Sequence, residues 1–317
     1  MSNTQKTIKI VLATLLSIWL AEILHLESSL AAGIIAILSI LDTKKASIII
    51  AVERILSTII ALTIATLVFN LFGYSVIVFG LYLLLYVPLA YRLRLQAGLA
   101  PCSVLVTHLI LAESTSLNLL MNEFLLMLIG VSVALIFNLY MPSQSGKLDQ
   151  YKTQIEMDMQ KSLFSIDRVL RKEDKQENLL PIIKMVNQKI SEAQSAAIVE
   201  QDNQLFNQEN EYLLYFIMRK EQMERLEEIS ENLDLIQLST EQNKLLGGLF
   251  YLTASQLHEK NTAADLLRNV DELHQSYKKM KLPQTRAEFE SRAVLYLILH
   301  DLKRFLELKN EYIKRKK

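Results

Sequence analysis

Gln96, Ala100, Ser103 and Thr107 follow one another at spacings of four, three and four inside an apolar run near 95–113. On a helix that spacing lays them in one stripe. Amide and hydroxyl groups arranged so can guide a polar solute along a helix. His108 lies about 100° round from Thr107 and is the side-chain type that titrates near neutral pH. Pro101 lacks an N–H and its ring clashes with the preceding turn, so it frees a backbone carbonyl. A kinked helix with freed backbone groups suits a ligand cavity. The same Ser and Thr equally suit a contact between two helices, and both readings stand. Glu22 and His25 are three residues apart in the first apolar run and can touch. They read either as a proton-carrying pair facing a cavity or as two groups near enough to an interface to reach water. Arg54, Ser57, Thr58, Ala61 and Ala65 share one helical face. Arg54, Arg92 and Arg94 are suited to receive an anion. Ionisable groups in apolar runs are costly, so each is a candidate site residue.

The elements that position these groups are six apolar runs between Ile8 and Met141. A helix rising about 1.5 Å per residue needs about 20 residues to cross a bilayer core of about 30 Å. The runs predict spans near 8–25, 28–42, 54–72, 74–91, 95–113 and 117–141, with 43–53 extending the short second span as an interfacial helix. Nine Lys and Arg residues lie in or beside the loops of the first 152 residues: Lys6, Lys9, Lys44, Lys45, Arg54, Arg92, Arg94, Lys147 and Lys152. All nine fall on one side of the predicted membrane. The other loops hold His25, Glu27, Glu113 and Glu123. Positive charge stays cytoplasmic, so both termini are expected inside; the positive-inside rule alone also accounts for Arg54, Arg92 and Arg94. A shift of 65 residues lays span one on four, two on five and three on six, so that Leu30-Ala31-Ala32-Gly33 falls on Leu95-Gln96-Ala97-Gly98. Three spans per repeat would invert the repeats, and interrupted spans at matching places point to a transporter's site; a chance match of three identities among common residues accounts for the correspondence equally well.

Charge divides the chain. Residues 1–142 hold seven Lys/Arg and six Asp/Glu out of 34 of each sign. The breaker-rich Met141-Pro142-Ser143-Gln144-Ser145-Gly146 marks the change. The expected organisation is all-α: a six-span transmembrane domain over 1–142 and a cytoplasmic α-helical domain over 143–317. The second part shows apolar residues at spacings of three and four, predicting helices near 147–172, 176–200, 208–237, 240–260, 263–280 and 285–314. Gly247-Gly248 would bend the fourth. Ala293–Leu299 is apolar all round and predicts a central helix. The basic tail Lys314-Arg315-Lys316-Lys317 suits either anionic lipid or solvent. A net charge of zero argues against a nucleic-acid partner. A single cysteine, Cys102, excludes a disulfide framework. The sequence has no phosphate-binding G-x-x-x-x-G-K-[ST], no H-E-x-x-H, no calcium loop and no G-x-S-x-G. No enzyme activity, cofactor or metal is expected.

The chain resembles the aromatic acid exporter family of bacteria, part of the wider fusaric-acid-resistance-like superfamily. The resemblance rests on Ala31-Ala32-Gly33-Ile34-Ile35-Ala36-Ile37-Leu38-Ser39-Ile40, then Thr43-Lys44-Lys45-Ala46-Ser47, then Ala51-Val52-Glu53-Arg54-Ile55-Leu56-Ser57-Thr58. The family pattern is a small-residue span, a Ser-containing turn and an Arg opening span three. Ser57 stands where glycine is common.

That resemblance implies a six-span membrane domain carrying a cytoplasmic helical domain. Larger relatives carry the unit twice, so a homodimer is implied. It also implies efflux of small organic acid anions, aromatic ones among them, across the bacterial plasma membrane. Arg54, Arg92 and Arg94 would attract the carboxylate, Gln96, Ser103 and Thr107 would line the path, and Glu22 or His108 would take a proton. Two rival readings stand: an anion channel of the same build, and a membrane scaffold or sensor acting through the helical domain.

Overall fold

The computed structural model describes residues 3–140, 143–173, 179–204, 210–236, 238 and 240–316. Among them the fold is all-α, and the main division into two compact units falls between Ser143 and Gln144. Met141 and Pro142 of the expected hinge lie outside the described residues.

The first unit contains α1 (Asn3–Ile23), α2 (Leu30–Ser39), α3 (Lys44–Phe72), α4 (Val76–Arg92), a 3₁₀ turn (Gln96–Gly98), α5 (Leu99–Leu111) and α6 (Leu117–Leu139). Two of these, α3 and α6, are long and apolar enough to cross a bilayer; α2, α4 and α5 are apolar but shorter. With ten residues, α2 is about 15 Å long, half the thickness of a bilayer core. It stops because Ile40 turns extended and Thr43 opens a new helix, its hydroxyl accepting from the Ala46 N–H at 3.3 Å. Residues 43–53 therefore belong to α3 and do not extend span two.

Glycine sets two close contacts of α2. A Cβ on Gly33 would lie 2.7 Å from Ile18 of α1, and one on Gly130 of α6 would lie 2.6 Å from the Ala32 carbonyl. Packing along α1, α2 and α6 pairs the first of these helices with the last, while α3 packs on α4 and α5. Helix α3 also packs on α6, and the packing does not follow the 65-residue correspondence: α1 lies along α2, whereas α4 meets the 3₁₀ turn before α5. Large apolar side chains such as Leu15, Trp19, Leu67 and Leu84 are exposed.

The second unit contains α7 (Ser145–Leu170), α8 (Leu179–Asn203), α9 (Glu211–Leu233), α10 (Glu241–Ser255), α11 (Ala264–Lys279) and α12 (Arg286–Arg315). They form a helical bundle around one apolar core that includes Ile155, Met159, Val186, Phe216, Leu226, Phe250 and Phe305. Helix α10 runs through Gly247 and Gly248. Gly247 instead admits α7, since a Cβ there would lie 2.6 Å from Asp167 Oδ1. The run 293–299 is not buried all round: Leu295, Ile298 and Leu299 face the core while Tyr296 and Leu297 are exposed, because α12 packs on α9 and α11 along one face. The basic tail is partly tied down, with Lys316 Nζ 2.8 Å from Glu211; Lys317 lies outside the described residues.

Candidate functional site

Helix α3 buries one continuous face made of Arg54, Ser57, Thr58, Ala61, Ala65 and Phe69. Three polar clusters sit on or beside this face in the first unit.

The first cluster is centred on Arg54, which is 6% exposed. Its Nε donates to the Ala97 carbonyl at 3.1 Å and its Nη2 to the Leu38 carbonyl at 2.9 Å. Nη1 donates to the Ser39 hydroxyl and, at 3.5 Å, to the Ile35 carbonyl. The Ile35 carbonyl also accepts from the Ser39 hydroxyl at 2.6 Å, whereas the Ala97 and Leu38 carbonyls have a reason to be free. Pro101 cannot donate to Ala97, four residues back, so that carbonyl has no helical partner. Leu38 belongs to the last turn of α2, whose carbonyls have no onward partner. Arg54 therefore caps the end of the half-length α2 and holds the turn that precedes α5. Asn138 adds bonds from Nδ2 to the Ser39 carbonyl at 3.1 Å and the Ser47 hydroxyl at 2.9 Å. The turn that carries Ala97 comes close because Gly98 has no side chain, and a Cβ there would lie 2.3 Å from Ser57. The glycine expected on span three is thus supplied by the opposite element.

The second cluster is an aromatic ladder on α4. Tyr82 and Tyr86 are fully buried and stack at 5.3 Å, and Phe79 stacks on Tyr82 at 5.6 Å. The Tyr86 hydroxyl shares a hydrogen bond with Ser57 Oγ at 2.7 Å.

The third cluster joins α5 to α6. His108 Nδ1 lies 2.8 Å from Glu123 Oε2, and Glu123 is 0% exposed. Asn122 donates to Glu123 Oε1 at 3.0 Å and to the Glu27 carbonyl at 3.2 Å, and accepts from the Glu27 N–H at 2.8 Å. Glu123 is not a loop residue, contrary to expectation. Ser116 caps α6 by accepting from the Leu119 N–H at 3.4 Å, so the helix starts at Leu117 and Glu123 falls in its second turn.

The predicted site residues distribute unevenly over these clusters. Arg54 and His108 sit within them. Arg92 and Arg94 are exposed at the end of α4 and just beyond it. Gln96 is exposed on the 3₁₀ turn and does not continue the stripe of Ser103 and Thr107, because α5 begins at Leu99. Pro101 sits in the first turn of α5 and produces no kink within that helix. Ser103 Oγ donates to the Leu99 carbonyl at 2.7 Å and Thr107 Oγ1 to the Val104 carbonyl at 2.6 Å. Glu22 and His25 are both exposed, and no side-chain bond joins them. The sequence reading missed Glu123, Asn122, Tyr82 and Tyr86. An acidic residue two turns into an apolar run was the available signal for Glu123. For the tyrosines it was their spacing of four.

Residues 1–141 match the family model described as "Aromatic acid exporter family member 1". Residues 145–310 match that of the "Putative aromatic acid exporter C-terminal domain". The chain belongs to the aromatic acid exporter family. A family relative, "Uncharacterized protein YqjA" of Bacillus subtilis (strain 168), is 32% identical over 309 residues, spanning 97% of this chain and 95% of its own. The solved "putative membrane protein from Clostridium difficile 630" is 22% identical with a TM-score of 0.47, covering 53% of this chain and 99% of that one. The aromatic acid exporters are a transporter family, not an enzyme family.

Proposed function

We propose that this aromatic acid exporter is a secondary, not ATP-driven, efflux transporter of small organic acid anions, aromatic carboxylates among them. In this reading the first unit crosses the bacterial plasma membrane six times, both termini are cytoplasmic, and the chain works as a homodimer in contact with membrane lipid.

The observation that carries the reading is Arg54. Its guanidinium is buried against carbonyls and a hydroxyl, and no carboxylate bonds to it. Carbonyls satisfy donors without supplying a paired negative charge, so an anion entering beside Arg54 is attracted. Lys9 of α1 adds a second buried cation, 8% exposed, whose Nζ has no hydrogen-bond partner. The exposed Arg92 and Arg94 draw anions toward the mouth, and Gln96, Ser103 and Thr107 border the path. Proton coupling, expected of Glu22 or His108, is assigned to His108 with Glu123. A buried carboxylate that shares a bond with an imidazole can hand a proton on, whereas Glu22 is exposed.

The test is flux of labelled benzoate and acetate into liposomes holding the purified protein, with and without a pH gradient. Saturable, gradient-driven flux that Glu123→Gln uncouples supports the reading. Gradient-indifferent flux steered by voltage makes the protein a channel. Absence of flux from folded protein turns attention to the bundle as a scaffold or sensor.

A further inference from the structure

Two buried cations of the helical bundle are answered by their neighbours. Arg219 of α9 donates to the Tyr215 hydroxyl at 2.9 Å, to Gln222 Oε1 at 2.8 Å and to Glu156 Oε1 at 2.5 Å. Lys309 Nζ of α12 donates to the Glu259 carbonyl at 2.7 Å, and burial with Arg219 beside it pushes the ammonium down to about 7. The cavity that these two share, about 20 Å³, takes one water and no organic ligand. A second cavity, of about 180 Å³, is of another kind. It lies among Gln242 in the first turn of α10, Tyr277, Lys278 and Met280 at the end of α11, and Arg292 and Tyr296 of α12. A cavity of about 150 Å³ already admits a benzene ring.

Two buried donors on this second cavity lack an oxygen acceptor. Arg292 donates from Nη1 to the Lys281 carbonyl and from Nη2 to Glu288, but its Nε is buried with no hydrogen-bond partner. Gln242 is 8% exposed. Among the described residues its Nε2 donates only to the Met280 thioether, at 3.1 Å, and a thioether is a weak acceptor. Buried donors left so are costly, and an anionic oxygen would answer both strongly. Glu288 balances the Arg292 charge. Lys278 is then the cation left for a ligand: it is exposed, lines the same cavity and forms no ion pair among the described residues. The two tyrosines have their hydroxyls engaged elsewhere. Tyr277 donates to the Gln242 carbonyl at 2.9 Å, and Tyr296 shares a bond with His274 Nε2 at 3.0 Å. What remains of each for the cavity is ring carbon, which suits contact with another ring.

We propose that this cavity binds a single-ring aromatic carboxylate, its ring against Tyr277 and Tyr296 and its carboxylate on Arg292 Nε, the Gln242 amide and Lys278. A small turn of the Arg292 side chain brings its Nε–H to the entering oxygen. A saturated acid of the same size satisfies the donors and forgoes the ring contacts; a neutral aromatic amide does the reverse. Binding ties the first turn of α10, the end of α11 and α12 to one ligand, and so stiffens the 280–285 connection. The site is built wholly from residues of the bundle, so it goes beyond the transport reading and does not rest on it.

The experiment is equilibrium dialysis of labelled benzoate, cyclohexanecarboxylate and benzamide against the full-length protein in a non-ionic detergent. The expected result is a saturable benzoate component about tenfold tighter than that of either analogue. Lys278→Glu and Tyr296→Leu, both at exposed positions, should leave the unfolding curve unchanged and each weaken that component by about tenfold. Arg292→Gln should abolish it; the two exposed variants carry the test if this one does not fold. Benzoate binding that persists unchanged in Lys278→Glu and Tyr296→Leu overturns the proposal, as does cyclohexanecarboxylate binding as tightly as benzoate at the component these variants weaken. A protein that passes benzoate across liposomes yet shows no Lys278-dependent binding overturns it too. Lys278-dependent binding by a protein without flux leaves the site standing and removes the transport reading.

Discussion

Arg54 in the first unit and Arg219 in the bundle are both buried, and they are held in opposite ways. Arg54 rests on the carbonyls of Ile35, Leu38 and Ala97 and on the Ser39 hydroxyl. Arg219 rests on Glu156, Tyr215 and Gln222. Dipoles satisfy hydrogen bonds and leave charge in place; a carboxylate does both jobs. The first unit therefore keeps a positive charge in its interior, and the bundle pairs its buried guanidinium. Burial of a charge without a counter-ion costs several kcal/mol, so an element that keeps one is poised for an ion that arrives and leaves.

The largest effects should come from deleting the two arginines. Arg54→Leu strands the Leu38 and Ala97 carbonyls, while the Ile35 carbonyl keeps the Ser39 hydroxyl at 2.6 Å, and Arg219→Leu takes the counter-ion from the Glu156 carboxylate; each should cost about 3–5 kcal/mol in thermal or denaturant unfolding. Adding Glu156→Gln should restore much of the loss from Arg219→Leu, because one substitution removes the stranded charge. No single substitution should restore Arg54→Leu. Equal rescue in both units would break the comparison.

Next comes pH. The folded state holds the Lys309 ammonium near 7, below the ordinary lysine value, so between those two points the unfolded chain binds more protons. Stability of the bundle should then rise from pH 7 toward pH 10, by at most about 1.4 kcal/mol per unit. Stability measured across that window should flatten in Lys309→Met. A fall with rising pH would contradict the assignment.

Smaller effects separate packing from path. Gly98→Ala should cost about 1–3 kcal/mol, because its Cβ meets Ser57 at 2.3 Å, and Ser57→Gly should recover most of it. Gly80→Ala on α4 meets nothing within 4 Å, and should be neutral or stabilise by up to about 1 kcal/mol. Smallest of all, Ser103→Ala and Thr107→Ala should stay within about 0.5 kcal/mol, since both hydroxyls bond carbonyls of their own helix. A change in flux without a change in unfolding would mark them as path residues.

What the sequence made legible was local. Apolar spacing located the helices of both units and the buried face of α3, because a 3.6-residue period is written along the chain itself. The carbonyl freed by Pro101 was also legible, as a missing donor. What takes that carbonyl was not: Arg54 stands 43 residues away, and no spacing rule links them. The same holds for His108 and Glu123, which meet only when α5 folds against α6. Helix ends were the other blind spot. Thr43 moved the start of α3 back by ten residues from the predicted 54 to Lys44.

The grip on α2 carries a kinematic consequence. Gly33 seats it against Ile18 of α1, and Gly130 lets α6 ride on its backbone. A short rod pinned on two sides cannot spin or slide without steric collision, so α1, α2 and α6 act as one lever. Motion in the first unit must turn that lever whole. Spin labels on α1 and α6 should hold their separation through a working cycle, while a label on α4, where Gly80 has open space, reports the swing.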